Sequence, residues 1–372
     1  MTDPALVALT DRVRAARADK TVLNIRGANT KAFYGEAPRG QALEVGALTG
    51  ISSYEPSELV VTVRAGTPLA ELEAALAEQG QHLAFEPPRF ENPARPGVRG
   101  GTVGGMVAAG LAGPARAAVG GLRDYVLGAS LLTGRAELLS FGGQVMKNVA
   151  GYDVSRLLAG SMGVLGVICE VSLKVLPTAV ATSTLRFEID QASALRQLNR
   201  WGGLPLPVNA SAWWRGMLVL RLSGAAAAVQ SATQQLGHSL GGEQVDATLA
   251  AAFWAGLRDQ TDEFFIDAQQ AVAGGATLWR LSLPQTAAPM APADEQLIGW
   301  GGAQRWLVSD APAAKVREAA SRAGGHATVY LGPKTGGALG ALSAPLMRIH
   351  RELKTAFDPD RVFNPGRLYA DL

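Results

Sequence analysis

The chain has 372 residues, and 34 Lys and Arg against 32 Asp and Glu give it a formal net charge of +2. A hydrophobic content of 48% with 18% charged residues is typical of a folded chain and excludes intrinsic disorder. The charge balance argues against a nucleic-acid-binding protein, and at roughly 150 residues per domain the length indicates two domains.

The single cysteine, Cys169, lies in an apolar run and is interpreted as a buried small hydrophobic residue. One thiol can form neither an intrachain disulfide nor an iron–sulfur cluster, which needs about four ligands. The first 20 residues predict an amphipathic helix rather than a signal peptide, and no run of about 18 apolar residues is present. We therefore expect a cytoplasmic protein without a transmembrane segment.

Alternating apolar residues predict the elements of the first half in chain order. We expect a helix with Thr67 as N-cap and Pro68 at its first position, ending at Gly80. Strands are predicted at Thr21–Gly27, Leu59–Gly66, Tyr125–Gly134 and Gly166–Pro177.

From about Ala179 the glycine pairs become rare, and all seven tryptophans of the chain follow. Several strands and three helices are predicted here, with Gly301-Gly302 as a two-residue hairpin turn. These elements indicate an α+β domain built on one sheet. A helix and a tail rich in Pro and Gly end the chain.

Glycine is over-represented, with 44 residues in the chain. Many of them fall between Gly97 and Gly166 inside apolar sequence, where glycine is favourable only if the backbone turns tightly or approaches something closely. High genomic use of Ala and Gly would explain loop glycines, but it explains Gly-Gly pairs beside buried strands poorly. The clustering favours a site for a large ligand.

Common nucleotide and hydrolase motifs are absent. No G-x-G-x-x-G follows a strand, and there is neither a Walker A motif nor H-E-x-x-H. Ala159–Gly163 misses the first position of G-x-S-x-G, and the chain has four histidines in all. A Rossmann dinucleotide site and a hydrolase are therefore both disfavoured.

Three groups of residues remain. Arg26–Lys31 follows a strand, and its small residues would let backbone N–H groups hold a diphosphate, although an ordinary turn is the alternative. Thr102–Gly105, with the glycines up to Gly120, would let a flat ring lie on the backbone. Arg123-Asp124 beside them is either an ion pair that fixes the loop or a direct ligand contact. The third group, Lys147–Asp153, continues to Gly166 with polar residues regularly placed among glycines.

Together with Phe357–Pro359 and Phe363–Arg367 in the tail, these groups resemble the FAD-binding domain of the vanillyl-alcohol-oxidase-type (PCMH-type) flavoproteins. The segment KNVAGYDVSRLLAGSMGVLGVI is similar to their 2-hydroxyacid branch. With EPPRF, MVAAGLAGPARAAVGGLRDYVLG, LIGWGGAQRWL and AGGHAT, the chain resembles the FAD-binding subunits of bacterial glycolate oxidases over nearly its whole length.

The resemblance implies an α+β fold with a two-subdomain PCMH-type FAD-binding domain and an inserted α/β cap domain. The implied limits are residues 1–177 for the FAD-binding domain, 178–332 for the cap and 333–372 for a C-terminal helix and tail that return to the first domain. Noncovalent FAD is implied, because relatives with covalent FAD carry a histidine in the first loop, where this chain has Ala28, Asn29 and Thr30.

The resemblance also implies which residues bind FAD. In such proteins the first loop wraps the diphosphate, the second group lines the path of the ring, Gly160–Ile168 borders the adenine and ribose, and the tail closes over the flavin. The implied residues are Arg26, Gly27, Ala28, Asn29, Thr30, Lys31, Pro87, Thr102, Val103, Gly104, Gly105, Ala108, Gly110, Gly113, Arg123, Asp124, Gly160, Gly163, Gly166, Ile168, Asn364 and Gly366.

The predicted cap departs from the larger catalytic relatives, which carry a histidine and carboxylate cluster that binds a metal. It contains only His238 and His326, so no metal site is predicted. His326 could face the flavin as a general base, or it is a structural histidine. Arg280 is the candidate carboxylate clamp, because alternation places it opposite Trp279 and Leu281; a solvated arginine is the alternative.

Two functions stay open at this point. In one, this chain oxidises a small 2-hydroxy acid such as glycolate to glyoxylate, with hydride passing to the flavin. In the other, it is a non-catalytic or electron-relaying FAD subunit, and a longer, homologous FAD-linked chain carries the chemistry. A nucleotide-sugar reductase of the same FAD-domain type is a distant third alternative. In both main cases an iron–sulfur subunit would take the electrons, with peripheral contact to the inner membrane through partners and no nucleic acid bound.

Overall fold

The computed structural model describes residues 3–92, 95–143, 153–290 and 296–372. Two antiparallel sheets, of five and eight strands, organise these residues. The fold is mixed α and β, as predicted. Of the helices described, none combines the length and the hydropathy needed to cross a bilayer.

Short strands and helices alternate along the first 177 residues. Their bounds are α1 Pro4–Ala18, β1 Leu23–Arg26, β2 Gln41–Glu44, β3 Ile51–Glu55, β4 Val60–Arg64, α2 Leu69–Glu78, β5 Gln81–His82, β6 Glu91–Asn92, β7 Arg95–Arg99, α3 Val103–Ala109, α4 Arg116–Val119, β8 Val126–Leu132, β9 Leu138–Gly142, β10 Val167–Lys174 and β11 Leu176–Pro177.

The five-stranded sheet has the order β3-β4-β10-β8-β9. In its central strand β10, Val171 and Leu173 are fully buried, and Ser172 between them is buried as well, so the strand is covered on both faces. Helix α2 packs on the same core through Leu69, Leu72 and Leu76, and it begins two residues after Thr67. The prediction of Thr67 as N-cap is wrong, because its hydroxyl instead accepts a hydrogen bond from the Gly50 N–H at 2.9 Å.

The region from β12 onward forms the larger sheet and its helices. Their bounds are β12 Ala181–Glu188, α5 Gln191–Gly202, β13 Val208–Trp214, β14 Met217–Gly224, α6 Ala226–Leu240, β15 Glu243–Gln244, α7 Ala247–Asp259, α8 Glu263–Ala273, β16 Thr277–Ser282, β17 Gln296–Gly299, β18 Gln304–Ser309, α9 Ala313–Arg322 and β19 His326–Leu331; α10 Ala344–Phe357 follows.

The larger sheet has the order β15-β12-β14-β13-β17-β18-β16-β19. Sequence reasoning missed β13, α7 and α8. The hairpin between β17 and β18 is also not the predicted two-residue turn, because a 3-10 turn over Trp300–Gly302 connects the strands. Trp300 itself adopts a positive φ of 53° there, which the glycine-based prediction did not anticipate.

The C-terminal tail packs on the amino-terminal elements. Leu23 in β1 forms a parallel bridge with Phe363, and the two side chains share a core with Val13 of α1. A second hydrophobic cluster joins the first half of the chain to the larger sheet, with Tyr34 and Leu111 packed among residues of that sheet and its helices. The chain thus brings three distant segments together beside the loop that follows β1. The domain limits at 177 and 332 remain a proposal.

Candidate functional site

The loop after β1 lines a cleft, here called the glycine cleft, of about 850 Å³ when the solvent at its mouth is included. Segments from β1, from α3, from the start of β10 and from the tail converge on it. Fourteen of the residues implied to bind FAD line it, namely Arg26, Gly27, Ala28, Asn29, Thr30, Lys31, Thr102, Gly104, Gly105, Ala108, Gly163, Gly166, Ile168 and Asn364.

Close packing between the loop and α3 shapes one wall of the cleft. Thr102 caps α3, and its Oγ1 accepts a hydrogen bond from the Gly105 N–H at 3.3 Å. A Cβ on Gly27 would collide with that Thr102 hydroxyl. The loop is held from its other side by Asn92, whose Nδ2 donates to the Ala28 carbonyl at 2.7 Å. Glycine is therefore required at position 27 by contact with the helix cap.

The tail closes another wall of the cleft through Asn364. Its Oδ1 accepts from the Ile25 N–H at 2.8 Å, and its Nδ2 donates to the Met162 carbonyl at 2.6 Å. A Cβ on Gly163 would lie 2.7 Å from this Nδ2, and Gly163 has a φ of +73°. One buried amide thus joins β1, the segment before β10 and the tail.

The electrostatics of the glycine cleft favour an anion. Arg26, Lys31 and Arg367 line it, and none of its described lining residues is Asp or Glu. The Lys31 Nζ has Thr30 Oγ1 at 3.3 Å and the Gly100 carbonyl at 3.4 Å. Burial lowers the pKa of Lys31 to about 8. An anionic ligand would offset the cost of placing these cations together.

Arg367 gives a direct test of whether the cleft fits FAD. Its side chain is only 8% exposed, its Nη1 has no hydrogen-bond partner, and the residue lines the cleft. Burial lowers the pKa of Arg367 to about 10, so the guanidinium is still charged at neutral pH. An unpaired buried cationic donor and a wall of small residues fit a long cofactor that carries a diphosphate.

Eight residues implied to bind FAD lie outside the lining of the glycine cleft. Val103 is fully buried in the core, and Pro87 is buried as well. Gly110 packs against Gly160, because a Cβ there would lie 2.8 Å from the Gly160 nitrogen. Gly366 lies in the tail with a φ of +72°.

Arg123 and Asp124 do not line the glycine cleft, and Asp124 has a structural role. Asp124 accepts a hydrogen bond from the Gly121 N–H at 2.9 Å, which caps the 3-10 helix Leu122–Tyr125. Arg123 is exposed, and in the described part of the chain it forms no ion pair with Asp124. Of the third predicted group, residues 147–152 lie outside the described residues.

A second cavity, here called the aromatic cavity, lies between residues 111–114, which follow α3, and the larger sheet. It measures about 530 Å³ with the solvent at its mouth included, and Gly113, Arg280, Trp300, Trp306 and Tyr330 are among its lining residues. Arg280 is half-buried between Trp279 and Leu281, as the alternation predicts. Its Nη2 donates to the Tyr34 hydroxyl at 2.7 Å, and Tyr34 also lines the glycine cleft, so the Tyr34–Arg280 contact lies between the two spaces.

The two histidines of the predicted cap line neither the glycine cleft nor the aromatic cavity. His326 is the exposed first residue of β19, opposite Ser282. Partial burial and then the positive charge of Arg280 lower the pKa of His326. His238 is exposed on α6, with its Nδ1 2.7 Å from the Gln234 carbonyl. Within the described ranges, no cluster of three His, Cys, Asp or Glu could share a metal ion.

Sequence reasoning missed Tyr34, Met162 and Arg367, all of which line the glycine cleft. Arg367 ends the quoted tail segment Phe363–Arg367, and that proximity to Asn364 was the one available signal. Tyr34 and Met162 carried no signal, because their positions depend on packing against segments far away in sequence.

The chain is similar to known flavoproteins in sequence and in fold. A family model described as FAD binding domain matches residues 8–142. Glycolate oxidase subunit GlcE of Escherichia coli K12 is 47% identical over 98% of this chain and 97% of its own length. Glycolate oxidase subunit GlcD of Bacillus subtilis is 30% identical over 43% of this chain and 33% of its own length.

D-lactate dehydrogenase of Anaerostipes hadrus is 31% identical over 39% of this chain and 29% of its own length. A solved alkyldihydroxyacetonephosphate synthase aligns with a TM-score of 0.61 at 16% identity, over 96% of this chain and 75% of that one, which supports the fold alone. The prediction of an FAD-binding oxidoreductase subunit is confirmed, and the chain belongs to the GlcE family of FAD-binding glycolate oxidase subunits.

Proposed function

We propose that this chain is the FAD-binding subunit of a complex that oxidises glycolate to glyoxylate. The observation that carries the proposal is the 47% identity to a glycolate oxidase subunit over 98% of this chain. FAD, when bound, supplies the electron acceptor for the oxidation.

The residues of the glycine cleft have separate tasks in this proposal. The loop Arg26–Lys31 and the cap of α3 place backbone close to the diphosphate, and Lys31 and Arg367 supply positive charge. Asn364 holds the tail against β1, which keeps the cleft closed on that side. The FAD is held without a covalent bond in this proposal, since Ala28, Asn29 and Thr30 occupy the loop.

In the first candidate function, in which this chain itself oxidises the 2-hydroxy acid, the acid would occupy the aromatic cavity. Arg280 would hold its carboxylate, and Tyr34 fixes the guanidinium from the other side. Of the described residues that line the cavity, none is Asp, Glu or His, so no side chain there is an ordinary general base. This observation favours the second candidate function, an electron-relaying FAD subunit beside a longer FAD-linked chain that carries out the proton abstraction.

We propose two partners in the complex. The longer FAD-linked chain is one, supported by the 30% identity to a GlcD protein within the shared region. The other is an iron–sulfur subunit, because Cys169 is the single cysteine of this chain and cannot ligate a cluster alone. The complex is placed in the cytoplasm, with contact to the inner membrane only through these partners.

An anaerobic absorbance spectrum of the purified chain, before and after glycolate, tests the proposal. We expect flavin bands that stay oxidised with glycolate until the two partner chains are added. Bands that bleach with the chain alone would overturn the relay function and assign oxidation to this subunit. No flavin bands, even after FAD is supplied, would refute the whole proposal.

A variant pair shows whether the aromatic cavity takes part. In the complete complex, Arg280→Met should raise the KM for glycolate if this cavity binds the acid. Arg200→Met on the exposed end of α5 is the matched control and should change nothing. An unchanged KM for glycolate in Arg280→Met would indicate that the partner chain, and not this cavity, binds the substrate.

A further inference from the structure

Arg367 has one half of its guanidinium bonded and the other half free. Its Nη2 donates to the Lys31 carbonyl at 3.3 Å and to the Ala32 carbonyl at 3.0 Å. Its Nη1 is buried without a partner. The first pair of bonds fixes the arginine to the loop of the glycine cleft, and the free nitrogen belongs to a side chain that lines the cleft.

The surroundings of Arg367 do not neutralise it. In the described chain it makes no ion pair, although the carboxylate of Glu36 is close enough to raise its pKa. That carboxylate already accepts a hydrogen bond from the Ala338 N–H. Burial and then the positive charge of Arg367 lower the pKa of Lys334, which Glu36 raises in part, so one carboxylate here faces two cations.

A buried guanidinium donor without an acceptor is destabilising, and native proteins rarely leave one unpaired. The donor could be satisfied by an oxygen of a ligand in the cleft. A guanidinium with one edge bonded to backbone is already oriented, so it loses little further side-chain entropy when the ligand arrives.

We propose that Arg367 is a cofactor-binding residue, whose Nη1 donates to an acceptor oxygen of bound FAD while its Nη2 holds the Lys31–Ala32 backbone in place. The acceptor is an oxygen of the diphosphate or of the flavin ring. The inference rests on FAD as the cofactor. It assigns to the tail a direct contact with FAD, in addition to the packing that Asn364 provides.

Titration of FAD into the deflavinated full-length chain, followed by flavin fluorescence, tests the inference. Arg367→Met keeps an aliphatic side chain and removes the guanidinium donors. Arg367→Lys keeps the positive charge but lacks the planar guanidinium that can bond on two sides. Arg39→Met is the matched control, because Arg39 is exposed and reaches to about the same stretch of tail, 4.0 Å from a Cβ built on Gly366.

We expect the FAD Kd of Arg367→Met to rise roughly 10- to 100-fold, as for loss of one charged hydrogen bond, and that of Arg367→Lys to rise less. Arg39→Met should stay within about twofold, since it removes only an exposed charge. Equal Kd values for Arg367→Met and Arg39→Met would overturn the inference.

Two further readouts separate the alternatives. Competition with ADP and with riboflavin identifies the acceptor oxygen. Arg367→Met should weaken the binding of ADP if that oxygen is on the diphosphate, and the binding of riboflavin if it is on the flavin ring. In a third outcome, Arg367→Met leaves the affinities for ADP and for riboflavin unchanged and weakens FAD binding only in proportion to a lower Tm of the FAD-free chain. That outcome would assign Arg367 a structural role and refute the contact. If the unchanged chain binds no FAD, the proposed function fails instead.

Discussion

Removing one partner of the buried ion pair of α10 should destabilise the protein far more than removing one partner of an exposed pair of the same spacing. Lys354 and Asp358 are 2% and 0% exposed, and their side chains are 2.7 Å apart. The Lys354 Nζ also donates to the carbonyls of Val164 and Phe363, each at 2.8 Å. The pair therefore connects α10 to the segment before β10 and to the tail.

Lys354→Met removes all three of these bonds and leaves the Asp358 carboxylate buried. The carboxylate keeps two backbone N–H donors, from Val362 at 2.9 Å and from Phe363 at 2.8 Å, so part of its charge remains compensated. Loss of one partner of a buried pair costs about 3–5 kcal/mol. At roughly 2–4 °C per kcal/mol, the Tm should fall by about 6–20 °C.

The same helix supplies the control. Arg348 and Glu352 have the same spacing, lie 3.7 Å apart and are 76% and 69% exposed. Arg348→Met should change the free energy of unfolding by no more than about 0.5 kcal/mol. Urea unfolding followed by far-UV circular dichroism, which reports on the whole chain, measures both variants. Equal effects of Lys354→Met and Arg348→Met would refute the reasoning.

Three further predictions concern the glycine cleft and the core. Because the pKa of Lys31 is lowered to about 8, FAD affinity should be highest below pH 8 and fall as the pH rises through it; Lys31→Met should abolish that pH dependence in a fluorescence titration. Gly104→Ala, whose Cβ would lie 2.7 Å from that of Ala65, should destabilise by about 1–3 kcal/mol in urea, whereas Gly202→Ala, with open space around it, should not. Burial raises the pKa of Cys169 to about 12, so Ellman's reagent at pH 8 should label it only on unfolding; rapid labelling of the folded chain would contradict its burial.

Local sequence patterns were sufficient for much of the fold. The apolar residues of β10, the apolar face of α2 and the small residues after β1 are properties of short segments, and the structure has each where it was predicted. Helices α7 and α8 were missed, although Asp246 and Asp262 are clear N-caps whose carboxylates accept backbone N–H bonds. The two capping aspartates are therefore a signal for these helices in the sequence itself.

Tertiary structure alone decided which of the candidate residues meet. The register of β19 against β16 pairs His326 with Ser282 at an exposed strand end, and His326 lines neither the glycine cleft nor the aromatic cavity. The hydrogen bond between Tyr34 and Arg280 joins residues 246 positions apart in the sequence, and the one between Arg367 and the Lys31 carbonyl joins residues 336 positions apart.

The family, the FAD cofactor and the small residues of the loop Arg26–Lys31 can be read from the sequence, because these depend on short motifs and on residue size. Only the folded chain decided the burial and the unpaired Nη1 of Arg367, since both depend on packing between segments that are distant in sequence. Periodicity specifies the face of a strand or helix, but it does not specify which distant loop will pack against that face.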